Sequence, residues 1–212
     1  MTRRTTLGVG LGLAGILGLF TLGSPPARAP LLLCDGHEIT ATDTNPATLA
    51  IDGTDDDDVL VGTPNADVIL GGDGDDLICG LGGNDRIQGQ NGDDEILGGE
   101  GDDRLYGDFV TPPATGYEPG EDELKGEQGN DLLRGNDEDD ELEGGDGDDG
   151  GAGAGLYGGA GDDKLEGNDG SDFLNGGADA DELDGGSDSD VCIGGPGEDD
   201  TAEDCESFDP GV

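Results

Sequence analysis

The chain repeats itself every nine residues. From Gly53 through Tyr106, units begin at Gly53, Gly62, Gly71, Gly80, Gly89 and Gly98 without a gap. The sixth position is always Asp: Asp58, Asp67, Asp76, Asp85, Asp94 and Asp103. The eighth is always aliphatic: Leu60, Ile69, Ile78, Ile87, Ile96 and Leu105. Glycine makes up 46 of the 212 residues. Six glycines in six first positions would therefore arise by chance roughly once in ten thousand trials. A nonapeptide cannot bury a hydrophobic face alone, so such units must stack on one another into an elongated array.

The array is interrupted twice. Asp108 to Gly116, with Pro112 and Pro113, reads as a loop inserted at an edge (107–116). A second block, 117–143, carries Asp122/Leu124, Asp131/Leu133 and Asp140/Leu142. Gly144 to Asp149 is a clean G-G-D-G-D-D turn, but Gly150 and Gly151 follow where an aliphatic residue belongs. Residues 144–157 therefore read as an irregular repeat, with no competent site expected over 150–155. A third block, 158–202, has units at Gly158, Gly167, Gly176 and Gly185, with Asp163/Leu165, Asp172/Leu174, Asp181/Leu183 and Asp190/Cys192. A last, degenerate unit from Gly194 is expected to use Asp199 and Thr201.

Composition fits a repeat array and excludes a thick core. There is no Trp, only 4 Phe and 3 Tyr, and hydrophobic residues are 31%. Asp and Glu total 53 against 8 Lys and Arg, a formal net charge of -45. Such a chain is disordered unless something neutralises it. Nucleic acid, itself a polyanion, is excluded as a partner. A divalent cation is the natural one. Acidic disorder alone would explain the composition but not the fixed spacing of the acids.

The spacing has a physical reading. The first six residues form a turn whose glycines permit positive φ and close backbone approach. The last three form a strand about 10 Å long, with only the eighth side chain pointing inward. Two units close one coil, and successive coils stack about 4.8 Å apart. The sixth-position Asp of one unit then lies near the turn two units later. Calcium takes roughly six to eight oxygen ligands, and turn carbonyls together with these carboxylates can supply them.

Gly71-Gly72-Asp73-Gly74-Asp75-Asp76-Leu77-Ile78-Cys79 reads G-G-x-G-x-D-x-U-x, with U a large aliphatic. The array resembles the hemolysin-type (RTX) calcium-binding repeat from Gly53 to about Ala202. The resemblance implies an all-β parallel β-roll, a solenoid of glycine-rich nonapeptides. It also implies several Ca2+ ions, each held between turns n and n+2 on one edge. The metal ligands would then be Asp58, Asp67, Asp76, Asp85, Asp94, Asp103, Asp122, Asp131, Asp140, Asp149, Asp163, Asp172, Asp181 and Asp190. The fourth position departs from glycine at Asp56, Asn65, Glu138, Asp179 and Asp188. Asn and Asp tolerate the left-handed region best among these, and Glu138 fits least.

The remaining features bear on location. Residues 1–29 read as an export signal: Arg3 and Arg4, an apolar run from Leu7 to Leu22, then Ala27-Arg28-Ala29. Sec and twin-arginine routes both stay open. No transmembrane segment is expected in the mature chain, which would comprise an N-terminal segment (30–52), the array, and a cap (203–212). Four cysteines in an exported chain are expected to pair as Cys34–Cys79 and Cys192–Cys205. The second bridge would close the open end of the roll. Gly153 to Gly158 matches GxGxxG, but no strand-turn-helix surrounds it. Asp146 to Gly150 lacks the terminal Glu of an EF-hand. His37, the only histidine, has no evident catalytic partner. The expectation is a secreted, non-catalytic calcium-binding protein that folds on binding calcium. The alternatives are a cell-surface adhesin or envelope-associated polyanion contacting an extracellular macromolecule, and an accessory fragment of an RTX enzyme.

Overall fold

The computed structural model describes residues 33–34, 37–38, 50–110, 115–197 and 199–211. All fall in one unit, 32–212; the expected export signal lies outside the described residues. Every regular element among them is a strand. Strands β1 (Leu33–Cys34) and β2 (His37–Glu38) form a short antiparallel pair. The rest belong to two parallel sheets, between which the chain alternates.

One sheet has eight strands: β4 (Val59–Val61), β6 (Leu77–Gly82), β8 (Glu95–Glu100), β10 (Glu123–Gln128), β12 (Glu141–Asp146), β14 (Lys164–Asp169), β16 (Glu182–Asp184) and β18 (Thr201–Glu203). The other has nine: β3 (Ala50–Asp52), β5 (Val68–Asp73), β7 (Arg86–Asn91), β9 (Arg104–Asp108), β11 (Leu132–Asp137), β13 (Gly155–Ala160), β15 (Phe173–Ala178), β17 (Val191–Ile193) and β19 (Ser207–Asp209). This is the parallel β-roll that the period predicts.

Register follows the repeat. Leu60 pairs with Ile78, and Ile78 with Ile96, one coil being two nonapeptides. The first interruption shifts the pairing by ten residues, so that Ile96 meets Leu124 and Leu105 meets Leu133. The second shifts it by five, so that Leu133 meets Leu156 and Leu142 meets Leu165. Both insertions leave the columns of like residues in line.

Most strands run six residues rather than the expected three. They continue from the seventh position into the Gly-Gly-x of the next unit, as in β14, where burial alternates along Lys164–Asp169. The eighth-position residues form the core. From Ile51 to Cys192 they stack in two facing columns, each at most 4% exposed. The column ends at the Cys192–Cys205 disulfide, Cα to Cα 6.0 Å, with Cys205 and Ala202 packed against the core. Cys79 is also disulfide-bonded. Its expected partner Cys34 has a side chain outside the described residues. Although a ninth-position residue, Cys79 is buried, in a second cluster with Val61 and Leu77 on the outer side of the eight-stranded sheet.

The turn glycines have two distinct jobs. Gly72 and Gly74, at the second and fourth positions, have φ of 129° and 110°, which a side chain rarely adopts. Gly71, at the first position, has an ordinary φ but no room. A Cβ there would run into Asp76 Oδ2 and lie 2.6 Å from the carbonyl oxygen of Gly89.

Candidate metal centre

The turns lie on the two edges of the roll, and each edge carries one ladder of sixth-position aspartates. On the first edge the amide of Asp58 donates to Asp76 Oδ1 at 2.8 Å. Asp76 donates to Asp94, Asp94 to Asp122, Asp122 to Asp140 and Asp140 to Asp163, each at 2.9 Å. Asp163 donates to Asp181 at 3.0 Å. On the second edge Asp67 donates to Asp85, Asp85 to Asp103 and Asp103 to Asp131, each at 2.7 Å. Asp131 donates to Asp149 at 2.6 Å, Asp149 to Asp172 at 2.8 Å, and Asp172 to Asp190 at 2.9 Å. Every aspartate expected as a ligand thus stands in one of two rows. Asp149 keeps its place because residues 150–154 leave the coil after it, so the second interruption does not break the row.

One carboxylate oxygen of each residue is used in this way. The other is not. Oδ2 of twelve of these aspartates, from Asp76 to Asp190, is buried and has no hydrogen-bond partner. The residues themselves are at most 3% exposed. An unpaired buried carboxylate oxygen carries a large desolvation cost. Burial accordingly pushes these carboxyls far up. Asp94 and Asp140 rise to about 9, Asp122 to about 8, Asp131 to about 7 and Asp76 to about 6. Like charges from neighbouring rungs push the same way, and the amide bond from the preceding coil opposes them.

The donor set fits calcium. Each orphan Oδ2 faces the first glycine of its own turn, and in seven of the twelve turns the carbonyl of the first glycine one coil on lies beside it. Asp85 and the Gly98 carbonyl flank Gly80 in this way, and Asp163 and the Gly176 carbonyl flank Gly158. Substituting Ala for the glycine would fill that cradle. Among the described residues no three side chains of His, Cys, Asp or Glu converge. A site here would therefore combine one or two carboxylates with main-chain carbonyls, an all-oxygen set suited to calcium and not to zinc.

Two of the expected ligands differ. Asp58 Oδ2 accepts from the Thr54 amide at 2.7 Å and the Thr54 hydroxyl at 2.8 Å. Asp67 Oδ2 accepts likewise from Thr63, at 2.6 and 2.9 Å. A threonine at the second position closes these turns from within. Their fourth residues, Asp56 and Asn65, avoid the left-handed region, whereas Glu138, Asp179 and Asp188 enter it with φ of 74°, 78° and 79°. Glu138 thus occupies the conformation expected to suit it least.

Four features were not legible in the spacing. The last unit holds one extra residue: Asp181 donates to Asp200 at 3.1 Å, and Leu183 pairs with Ala202. Asp200 and Ala202 therefore replace the expected Asp199 and Thr201. Asp190 donates to Glu206 Oε2 at 2.6 Å, so a glutamate in the cap ends the second row. Fifth-position residues form an outer row of opposite sense. Asp75 donates to Asp57 at 3.2 Å, Asp93 to Asp75 at 3.1 Å, and Asp148 to Asn130 at 2.9 Å. Where the first insertion leaves the coil, buried Asp108 accepts from the Asp137 amide at 3.1 Å and the Tyr117 hydroxyl at 3.0 Å.

The family model of the RTX calcium-binding nonapeptide repeat matches residues 52–87, 80–109, 118–150, 157–192 and 166–200. No curated protein matches the chain. The matched segments span more than half of the sequence and coincide with the coils that carry both aspartate rows, so the chain belongs to the RTX calcium-binding nonapeptide repeat family.

Proposed function

We propose that this is an exported, non-catalytic calcium-binding protein whose repeat array orders when calcium binds. The observation that carries the reading is the pair of rows of buried carboxylates with one oxygen unpaired. Bound calcium would supply positive charge and demand for about six to eight oxygens. The chain supplies the rest. Sixth-position aspartates bring the charge, and first-position glycines leave the space. From the third turn onward, most second- and fourth-position residues hold the turn in the left-handed conformation. Without a cation the rows of like charge oppose a core only two columns wide, so binding free energy becomes folding free energy. Export is supported by the Arg3–Ala29 segment, and by the disulfides, which suit an oxidising compartment.

Native mass spectrometry of the mature chain tests this reading. The expected result is a cooperative shift to species holding about a dozen calcium ions. A chain that carries one or two ions at saturation would refute it.

A further inference from the structure

The two outer faces of the roll differ in charge. On the eight-stranded sheet the outward seventh and ninth positions include Glu95, Glu123, Glu141, Glu143, Glu166 and Glu182. On the nine-stranded sheet, from β5 to β17, none of these positions is acidic. In a chain with 53 acids that is a sharp segregation. The same face holds Arg86, Arg104 and Arg134, the only arginines among the described residues, all exposed.

These arginines are not spent on ion pairs. The salt bridges among the described residues are all made by Lys125 and Lys164, on the other sheet. Arg86 and Arg104 are register neighbours, so two like charges sit side by side. Aromatic rings underlie two of the three guanidinium groups instead. Arg86 lies 4.7 Å from the Tyr106 ring centre, and Arg134 lies 4.9 Å from that of Tyr157. Tyr157 in turn packs on Phe173 at 5.7 Å. A hollow opens at this point, walled by Phe109 and Val110 of the inserted loop and by Tyr117 just after it, and floored by Arg134 and Tyr157, with Asp137 at its side engaged by the Tyr117 hydroxyl at 2.8 Å.

The face is a strip. Seven strands give it a length of about 30 Å, and the seventh-to-ninth stretch of each strand, with two outward residues, a width of about 10 Å. So small an area falls well short of the roughly 800 Å² per partner of a stable protein interface. It suits a narrow polymer lying along the roll axis. Guanidinium forks free of ion pairs select carboxylates, and the aromatic wall of the hollow can pack on the apolar faces of sugar rings. Nucleic acid carries a charge about every 1.7 Å and would be repelled by the acidic body. We propose that the outer face of the nine-stranded sheet binds a linear polysaccharide bearing widely spaced carboxylates, with Arg86, Arg104 and Arg134 as its anion contacts and the Tyr157 ring as the seat that holds Arg134 in place. The proposal needs the roll folded, and so rests on the calcium reading.

Calorimetric titration of the full mature chain in saturating calcium with a hyaluronan decasaccharide tests it. Circular dichroism of each variant first establishes that the roll has formed, which separates failure of this proposal from failure of the calcium reading. Binding is expected, weakening by at least about tenfold in Arg86→Ala/Arg104→Ala and in Tyr157→Ala. Arg86→Lys/Arg104→Lys should recover part of the loss. The same oligosaccharide with its carboxyls reduced should bind much more weakly. Equal binding of the reduced sugar, or no binding to a folded roll, overturns the proposal. So does tighter binding of an oligothymidylate, or a concentration-dependent dimer in sedimentation that the double arginine variant abolishes.

Discussion

The first two turns, 53–58 and 62–67, and the turns that follow share a backbone plan but close differently. In the first two, Thr54 and Thr63 each satisfy the free oxygen of their own aspartate with an amide and a hydroxyl. From 71–76 onward the second position carries no such hydroxyl, and the corresponding oxygen is buried and unpaired. The aspartate is the same in both cases; the second residue decides whether it is content. On this comparison we propose that the first two turns need no ion and that the demand for calcium starts at Asp76.

The largest expected effect comes from protons, which can take the place of calcium in the glycine turns. Burial raises Asp76, Asp94, Asp122 and Asp140 to about 6, 9, 8 and 9, against about 3.9 in an unfolded chain. The folded state therefore binds more protons than the unfolded one between those values. The stabilisation is complete below about pH 4 and is lost as pH rises through 6 to 9. In EDTA the chain should be β-rich near pH 4.5 and disordered at pH 8 by circular dichroism. A fold in EDTA that strengthens with rising pH would contradict the assignment of these carboxyls as the obstacle to folding.

A pair of aspartate variants separates the two kinds of turn. Asp94→Ala removes a carboxylate with an orphan oxygen and should raise the calcium midpoint by roughly three- to tenfold, with lower cooperativity. Asp58→Ala removes only satisfied hydrogen bonds. It should lower thermal stability in saturating calcium by about 1–3 kcal/mol and move the calcium midpoint by less than about twofold. Equal shifts in the two calcium titrations would abolish the distinction. Asp73→Ala, at an exposed third position whose carboxylate accepts from Asn91 Nδ2 at 2.7 Å, is the control for losing a satisfied carboxylate outside the two rows.

The smallest expected effect sharpens the same contrast. Thr54→Val deletes the hydroxyl that donates to Asp58 Oδ2 and keeps the amide bond. It should cost about 1 kcal/mol in a thermal melt at saturating calcium, with no change in calcium midpoint. A variant that needs more calcium to fold would mean that Asp58 ligates after all.

The roll was legible in the sequence because glycine, aspartate and an aliphatic recur in fixed columns. Ile78, Asp76 and Gly71 can each be placed by counting. Counting fails where length varies inside a turn. Asp199 and Asp200 are adjacent acids, and the pairing of Leu183 with Ala202 and the bond from the Asp181 amide select the second. It also fails where a different residue type plays the same part, as Glu206 does at the end of the second row. Thr54 and Thr63 were visible as departures from Gly-Gly, but the bond back to their own aspartate depends on turn geometry. The acid-free face was equally present in the seventh and ninth positions. It emerges only when alternate units are read separately, since successive units go to opposite sheets.

The most direct test of the central claim is circular dichroism of the mature chain during a calcium titration at neutral pH, with magnesium as control. The account predicts a disordered spectrum in EDTA and a cooperative rise of β structure with calcium, at a midpoint on the order of 10⁻⁴–10⁻³ M. Magnesium, which demands a tight octahedron and holds its waters, should substitute poorly. A full β spectrum already present in EDTA at neutral pH, unchanged by calcium, would contradict the account.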